Sequence, residues 1–209
     1  MLAALYVDLK RCIGCDSCSV ACKQENQFGF DAGGQMKAGS NTWSKVYGSE
    51  NGSYPKPVAQ VLPMPCQQCN PAKCQSTCDS LGYKAIKRRA DGILWVDEKL
   101  CTGCQKCVPA CPYKVMNFNV AKPNKLGQLG VAEKCHFCMH RLDKGLQPAC
   151  VVTCVGITLE YGDLNALRAK YPKAEAMGDD DKLKVLYGNL GEEPKHQTAG
   201  YPDPVPFHD

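Results

Sequence analysis

Hydrophobic and polar positions alternate along this chain only in short bursts. Leu2 to Val7, Tyr83 to Ile86, Gly92 to Val96 and Ile157 to Tyr161 each read as a short strand. Helical spacing is equally brief. Cys18 to Lys23 and Cys107 to Cys111 predict single turns, and Asp163 to Lys170 predicts a short helix with Asp163 as its N-cap. Two stretches carry neither period. Lys23 to Pro65 is rich in Gly, Asn and Ser, with Trp43 and Tyr47 as its strong anchors. Beyond Gly188 the chain turns Pro-rich and irregular, ending in an aromatic-punctuated run from Tyr201 to Phe207. The pattern predicts an α+β fold of short strands and short helices, with a long insert at 23–65 and an irregular tail at 161–209.

Composition sharpens this picture. Aromatic residues are only 8% of the 209 residues, while Gly and Pro contribute 19 and 14. So thin an apolar core needs staples, and small folds find them in disulfides or metals.

The cysteines supply the candidates. Sixteen of them form four groups of four with none left over. The groups are Cys12, Cys15, Cys18, Cys22; then Cys66, Cys69, Cys74, Cys78; then Cys101, Cys104, Cys107, Cys111; and last Cys135, Cys138, Cys150, Cys154. The first and third read C-x2-C-x2-C-x3-C, the bacterial ferredoxin spacing for a [4Fe-4S] cluster. The other two open with C-x2-C and close with C-x3-C. Sixteen thiolates suffice for four cubane clusters with every iron capped. A disulfide framework suits a secreted chain, but here the apolar run Met1 to Tyr6 is short and Asp8, Lys10 and Arg11 follow at once, unlike a signal peptide. Zinc needs only two C-x2-C knuckles and leaves the remaining cysteines oddly placed. His136 and His140 lie beside the fourth group, which already has four thiols, so both read as surface or supporting residues.

Charge follows from the same sites. The formal net charge of +4 counts cysteines as neutral. Four thiolates on a doubly positive core leave about −2 per site, so the loaded protein stands near about −4. The basic excess then compensates cluster charge rather than marking a nucleic-acid surface. Lys87-Arg88-Arg89, the one tight basic run, reads as a solvated turn. No stretch approaches the ~20 apolar residues of a membrane span.

The chain also repeats itself. Val7-Asp8 before Cys12 returns as Val96-Asp97 before Cys101, and Pro71-Ala72-Lys73-Cys74 is echoed by Pro148-Ala149-Cys150. Groups one and three are one kind of unit, groups two and four another. Gly14 and Gly103 let the loops bend tightly around a cluster. The x3 step, about one helical turn, carries each fourth thiol toward a neighbouring cluster, as in two-cluster ferredoxins. Spacing alone lets group three exchange its fourth thiol with either neighbour.

These residues resemble the four-cluster electron-transfer (beta) subunit of the dimethyl sulfoxide reductase family of molybdenum and tungsten oxidoreductases. The resemblance spans residues 2 to 165. It rests on the order of the four groups, on Cys111-Pro112-Tyr113, on Lys134-Cys135-x2-Cys138 with Arg141-Leu142-Asp143-Lys144-Gly145-Leu146, on Pro148-Ala149-Cys150 and on Gly162-Asp163-Leu164. Asp79 and Val155 depart from it, standing where the family commonly has Pro. The resemblance implies two ferredoxin-like 2[4Fe-4S] modules within 1–160, an outer pair from 1–25 and 130–160 and an inner pair from 62–120. It pairs group one with four and two with three. Cys12, Cys15 and Cys18 would then share a cluster with Cys154; Cys135, Cys138 and Cys150 with Cys22; Cys66, Cys69 and Cys74 with Cys111; and Cys101, Cys104 and Cys107 with Cys78.

The expected function is relay of single electrons between a large molybdenum or tungsten pterin subunit and an external redox partner, which in some relatives is a membrane or cytochrome subunit. The alternative is a free-standing polyferredoxin or a hydrogenase-associated carrier. The insert around Trp43 and the run from Tyr187 to Phe207 are the expected docking surfaces, and Trp95, Tyr113 and Phe118 the expected cluster-packing aromatics. No phosphate loop, nucleophile elbow or buried carboxylate pair suggests catalysis by the chain itself. The cytoplasm is the expected compartment, with export in folded form on a partner's signal as the other route.

Overall fold

A computed structural model of the chain describes residues 1–28, 42–178 and 183–189. Its centre is β1 (Ala3–Asp8), the middle strand of a three-stranded sheet. β8 (Leu159–Asp163) pairs with it antiparallel, with Leu5 opposite Tyr161, and β9 (Val185–Gly188) pairs parallel, with Leu5 opposite Val185. The period of two divides its side chains between two cores. Leu5 and Val7 meet Leu159, Val185 and Tyr187 on one face. Ala4 and Tyr6 meet Leu164, Leu167 and Leu186 on the other, beneath α6 (Leu164–Lys170). Tyr6 stacks flat on Tyr171, ring centres 3.7 Å apart. Asp163 caps α6 as expected: its carboxylate accepts the Asn165 N–H at 3.0 Å and also the Leu2 N–H at 2.8 Å.

A second core gathers the middle of the chain. The hairpin of β4 (Ile86–Arg88) and β5 (Leu94–Val96) supplies Ile86 and Leu94. The hairpin of β6 (Asn117–Pro123) and β7 (Leu129–Glu133) supplies Val131 and Ala132. Four cysteines, Cys74, Cys78, Cys101 and Cys107, belong to this same apolar cluster. The two halves are tied where the Ala3 N–H donates to the Asp91 carbonyl at 2.8 Å.

Several expectations need correction. The insert is not a bare loop: β2 (Lys45–Asn51) and β3 (Val58–Met64) form a regular hairpin within it. The boundary drawn after residue 160 falls inside β8, and residues 183–188 lie against β1, so this stretch is built into the sheet. Trp43 and Tyr187, read as docking anchors, are buried. Apolar aromatic bulk fits an interface and a core equally well, and here the core takes it. Residues 29–41 of the insert and 190–209 of the tail lie outside the described residues. The basic run is no solvated turn either. Lys87 pairs with Asp97 at 2.7 Å, Arg89 with Asp143 at 2.7 Å, and Arg88 turns inward.

Candidate iron-sulfur sites

Each cysteine group opens on the same backbone device. The residue two after the first cysteine is left-handed in all four: Gly14 (φ 69°), Gln68 (52°), Gly103 (73°) and Phe137 (50°). This reverses the chain so that the next cysteine returns toward the first. Short helices then present the remaining thiols. Cys18 and Cys22 ride on α1 (Ser17–Glu25), Cys74 and Cys78 on α2 (Lys73–Ser80), Cys107 on α3 (Cys107–Ala110) and Cys150 on α5 (Ala149–Val152). A further short helix, α4 (Met139–Leu142), follows Cys138. α1 packs on α5 and α2 on α3. Helices of group one therefore meet group four, and those of group two meet group three.

The thiols gather accordingly. Cys12, Cys15, Cys18 and Cys154 line one recess, walled by Val46, Pro63 and Leu159. Cys78, Cys101, Cys104 and Cys107 line another, walled by Ile86, Val96 and Ala132. The neighbours of Cys150 and Cys74 mark two more sets. Cys150 is pushed well above its ordinary pKa by burial, then by Cys135, Cys138 and Cys22. Cys74 is pushed to about 12 by burial, with Cys66, Cys111 and Cys69 adding to the rise. We call the four sets A (12, 15, 18, 154), B (135, 138, 150, 22), C (66, 69, 74, 111) and D (101, 104, 107, 78). Neighbouring sets touch electrostatically in sequence: Cys18 acts on Cys150, Cys66 on Cys135, and Cys74 on Cys107. The order is A–B–C–D.

The donor chemistry suits iron-sulfur clusters. Among the described residues no three His, Cys, Asp or Glu side chains converge as they would around a single ion. The thiols of sets A and D instead line open recesses with apolar walls. N–H donors point at sulfur: Ala85 to Cys78 and Thr158 to Cys154, each at 3.3 Å, and Ala132 to Cys101 at 3.5 Å. Such bonds stabilise thiolate and tune cluster potential. The Thr102 hydroxyl, buried and without a hydrogen-bond partner, lines recess D. Burial first, then neighbouring negative groups, raise Cys18 and Cys69 to about 11 and Cys22 and Cys107 to about 12, so these thiols favour the protonated form. Cluster insertion must therefore release protons. Cys154 is the exception. Burial pushes it up, but the Thr158 hydroxyl and the Thr158, Leu159 and Gly156 N–H groups outweigh that and bring it down.

The surrounding residues differ from expectation in detail. Of the two readings offered for His136, surface or supporting residue, the structure has the supporting one. Its ring meets Trp43 edge-on at 4.8 Å, its Nδ1 accepts the Met139 N–H, and burial lowers its pKa to about 4. His140 does lie at the surface, 2.8 Å from Glu25. Tyr113 stands near Cys69 and Cys111, whereas Trp95 lies under Lys87 and Phe118 covers Gly130. Sequence reasoning missed Gln68, buried between Cys66 and Cys69. Its amide donates to the Cys135 carbonyl at 2.8 Å and its oxygen accepts the Leu94 N–H at 2.8 Å. A polar residue inside a C-x2-C loop was the available signal.

A chain of thiol sets in a short-stranded α+β body defines an iron-sulfur electron-transfer protein. Residues 58–164 match the family model described as a 4Fe-4S dicluster domain, a span that holds groups two to four. The chain thus belongs to that family. It is 37% identical to the B subunit of the tetrathionate reductase of Salmonella typhimurium, over 96% of this chain and 73% of the relative. It is 33% identical to the B subunit of the selenate reductase of Mesobacillus selenatarsenatis, over 77% of this chain. With the B polypeptide of the anaerobic dimethyl sulfoxide reductase of Escherichia coli it shares 28% over 94% of this chain and 93% of the relative. The chain spans only 60% of the selenate reductase subunit's length.

Proposed function

We propose that this chain is the four-cluster wire of a reductase-type complex, carrying single electrons between a molybdenum or tungsten pterin subunit and an external redox partner. The carrying observation is the exposure of the thiols. Of sixteen, only Cys15 and Cys104 are exposed, one in set A and one in set D, the two ends of the order A–B–C–D. A wire needs two accessible ends and an insulated middle. Each set would hold one [4Fe-4S] cluster through its four thiolates, cycling by one electron. Two ferredoxin-like modules follow, A with B and C with D, as an internal duplication would leave them. The recurring left-handed residue two after each first cysteine supports that reading. The relatives are named as subunits of reductases for tetrathionate, selenate and dimethyl sulfoxide. An oxidised small molecule reduced on the partner is therefore the favoured substrate class. Among the described residues no helix is long and apolar enough to cross a membrane. A cytoplasmic complex, or one exported folded with its partner, both accommodate this.

The test is anaerobic purification from the native host with metal analysis and sizing. About sixteen irons and sulfides per chain, co-eluting with molybdenum or tungsten, are expected. A free monomer of this chain without either metal would sink the complex and favour a polyferredoxin. Cys154→Ser should disturb the same cluster signal as Cys12→Ser; disturbance of the Cys135→Ser signal instead would overturn the thiol assignment.

A further inference from the structure

Among the described residues, no carboxylate pairs with the two cations that stand at set C. Lys134 is only 2% exposed. Its ammonium donates to the Leu94 carbonyl, to the Cys135 carbonyl at 2.8 Å and to the Gln68 amide oxygen at 3.5 Å, all of them neutral. Gln68 is the left-handed residue inside the Cys66–Cys69 loop, so the ammonium is clamped onto that loop. Arg88, half-buried, approaches the same loop from β4. Its guanidinium donates to the Cys69 carbonyl and to the Gly92 carbonyl at 2.8 Å. A buried charge satisfied only by neutral oxygens is costly. The missing counter-charge is supplied if set C carries an anionic group. Cys69 and Cys74 both feel the Lys134 charge, and Arg88 in turn feels Cys69, Cys74 and Cys66.

The other sets are dressed differently. At A, the Asp16 carboxylate acts on Cys12 and Cys18 in the opposite sense. At B, Arg141 lies near Cys138 but is already paired with Glu25 at 2.9 Å.

Resting on the four-cluster reading, we propose that Lys134 and Arg88 form a fixed positive collar that raises the reduction potential of the cluster at set C and makes it the wire's resting place for an electron. The step assisted is gain of one electron from a one-electron donor. No bond breaks, and the site becomes more negative by one charge, which nearby cations favour.

The test is a mediated, EPR-monitored redox titration of the anaerobically loaded complex carrying Lys134→Met, Arg88→Gln or Arg88→Lys. Lys134→Met and Arg88→Gln should each lower the reduced-to-oxidised ratio of one cluster about tenfold at fixed potential, ~59 mV for a one-electron couple. That cluster must be the one whose signal Cys74→Ser alters. Arg88→Lys, which keeps the charge, should leave it within about twofold. An unchanged potential, an equal shift in every cluster, or a fall in Arg88→Lys as large as in Arg88→Gln would overturn the collar. Should Lys134→Met fail to load, the pair Arg88→Gln and Arg88→Lys, at the less buried of the two cations, decides alone. Absence of four cluster signals in the unmodified complex would instead sink the four-cluster reading itself.

Discussion

Sets A and D differ from B and C in one respect above all: each end set has one exposed thiol, while the thiols of the inner sets are buried or half-buried. The walls show how. Recess A is closed by the β2–β3 hairpin, through Val46 and Pro63, and recess D by residues of β4, β5 and β7. In both, the second cysteine of a C-x2-C-x2-C loop is left at the rim. Set B instead shares its apolar cluster with an edge-packed train of rings: Phe28 and Trp43 pack with Cys22 and Cys135, Phe28 on Trp43 at 4.7 Å and Trp43 on His136 at 4.8 Å. The difference teaches that one loop motif serves both as a contact and as an insulated link, depending on which hairpin or helix lies over it.

The largest expected break of this comparison is at the thiols. Cys150→Ala should remove set B and with it a staple of the core, lowering yield and iron content together. Cys15→Ala should spare the fold and cost at most its own site, about four of about sixteen irons. Iron and sulfide counts against melting temperature measure this. Equal damage from both would erase the distinction between end and middle.

Next comes the insulation itself. Trp43→Ala deletes the central ring of the train and should cost about 3–5 kcal/mol. Loss of the cluster chromophore in guanidinium should move to lower denaturant, and set B should gain oxygen sensitivity while D keeps its own.

A smaller effect separates the two end loops. Gly103 and Gly14 both hold left-handed angles, so alanine strains each by roughly 1 kcal/mol. A Cβ at Gly103 would also come within 2.7 Å of the Asn124 amide and the Gly130 carbonyl, while at Gly14 it meets only the Val61 side chain at 3.2 Å. Gly103→Ala should therefore destabilise D more than Gly14→Ala destabilises A, as chelator-driven iron release would read.

The smallest concerns Asp163, which ties β1 to α6. The Leu2 N–H first, then the Ala166 N–H, holds its carboxyl below the ordinary range. A depressed carboxyl stabilises the fold above its unfolded value of about 3.9 and loses that contribution as pH falls through the folded value. Asp163→Asn should flatten acid sensitivity slightly below about pH 4. An unchanged acid limb in the melting curve would refute the link.

Much of this was legible in the sequence, for particular reasons. The cysteine spacings carry the loops, and the alternation of Leu2 to Val7 and the Asp163 cap carry β1 and α6. α2 was not legible, because Lys73–Ser80 is polar almost throughout and lacks a helical apolar stripe. β9 was missed because Val185–Gly188 runs apolar without alternation, Val, Leu and Tyr standing side by side. The left-handed Gln68 and Phe137 could not be read either, since nothing local marks a non-glycine residue for that conformation. Which group shares its helices with which is a matter of tertiary contact, and similar gaps on either side of group three left it open.

The pairing of β1 with β8 sets a timetable for synthesis. On the proposed thiol division, sets C and D hold all their ligands once residue 111 has left the ribosome. Sets A and B, whose first cysteines emerge earliest, must wait for Cys154 and Cys150. At ~5–20 residues per second, the 128 residues from Cys22 to Cys150 alone take roughly 6–26 s. During that wait the oldest thiols of the chain stand reduced, unclosed and exposed to the wrong metal. A cell making this protein has reason to guard the first cysteine group longest, and the assembly machinery has reason to load the middle of the chain before its ends.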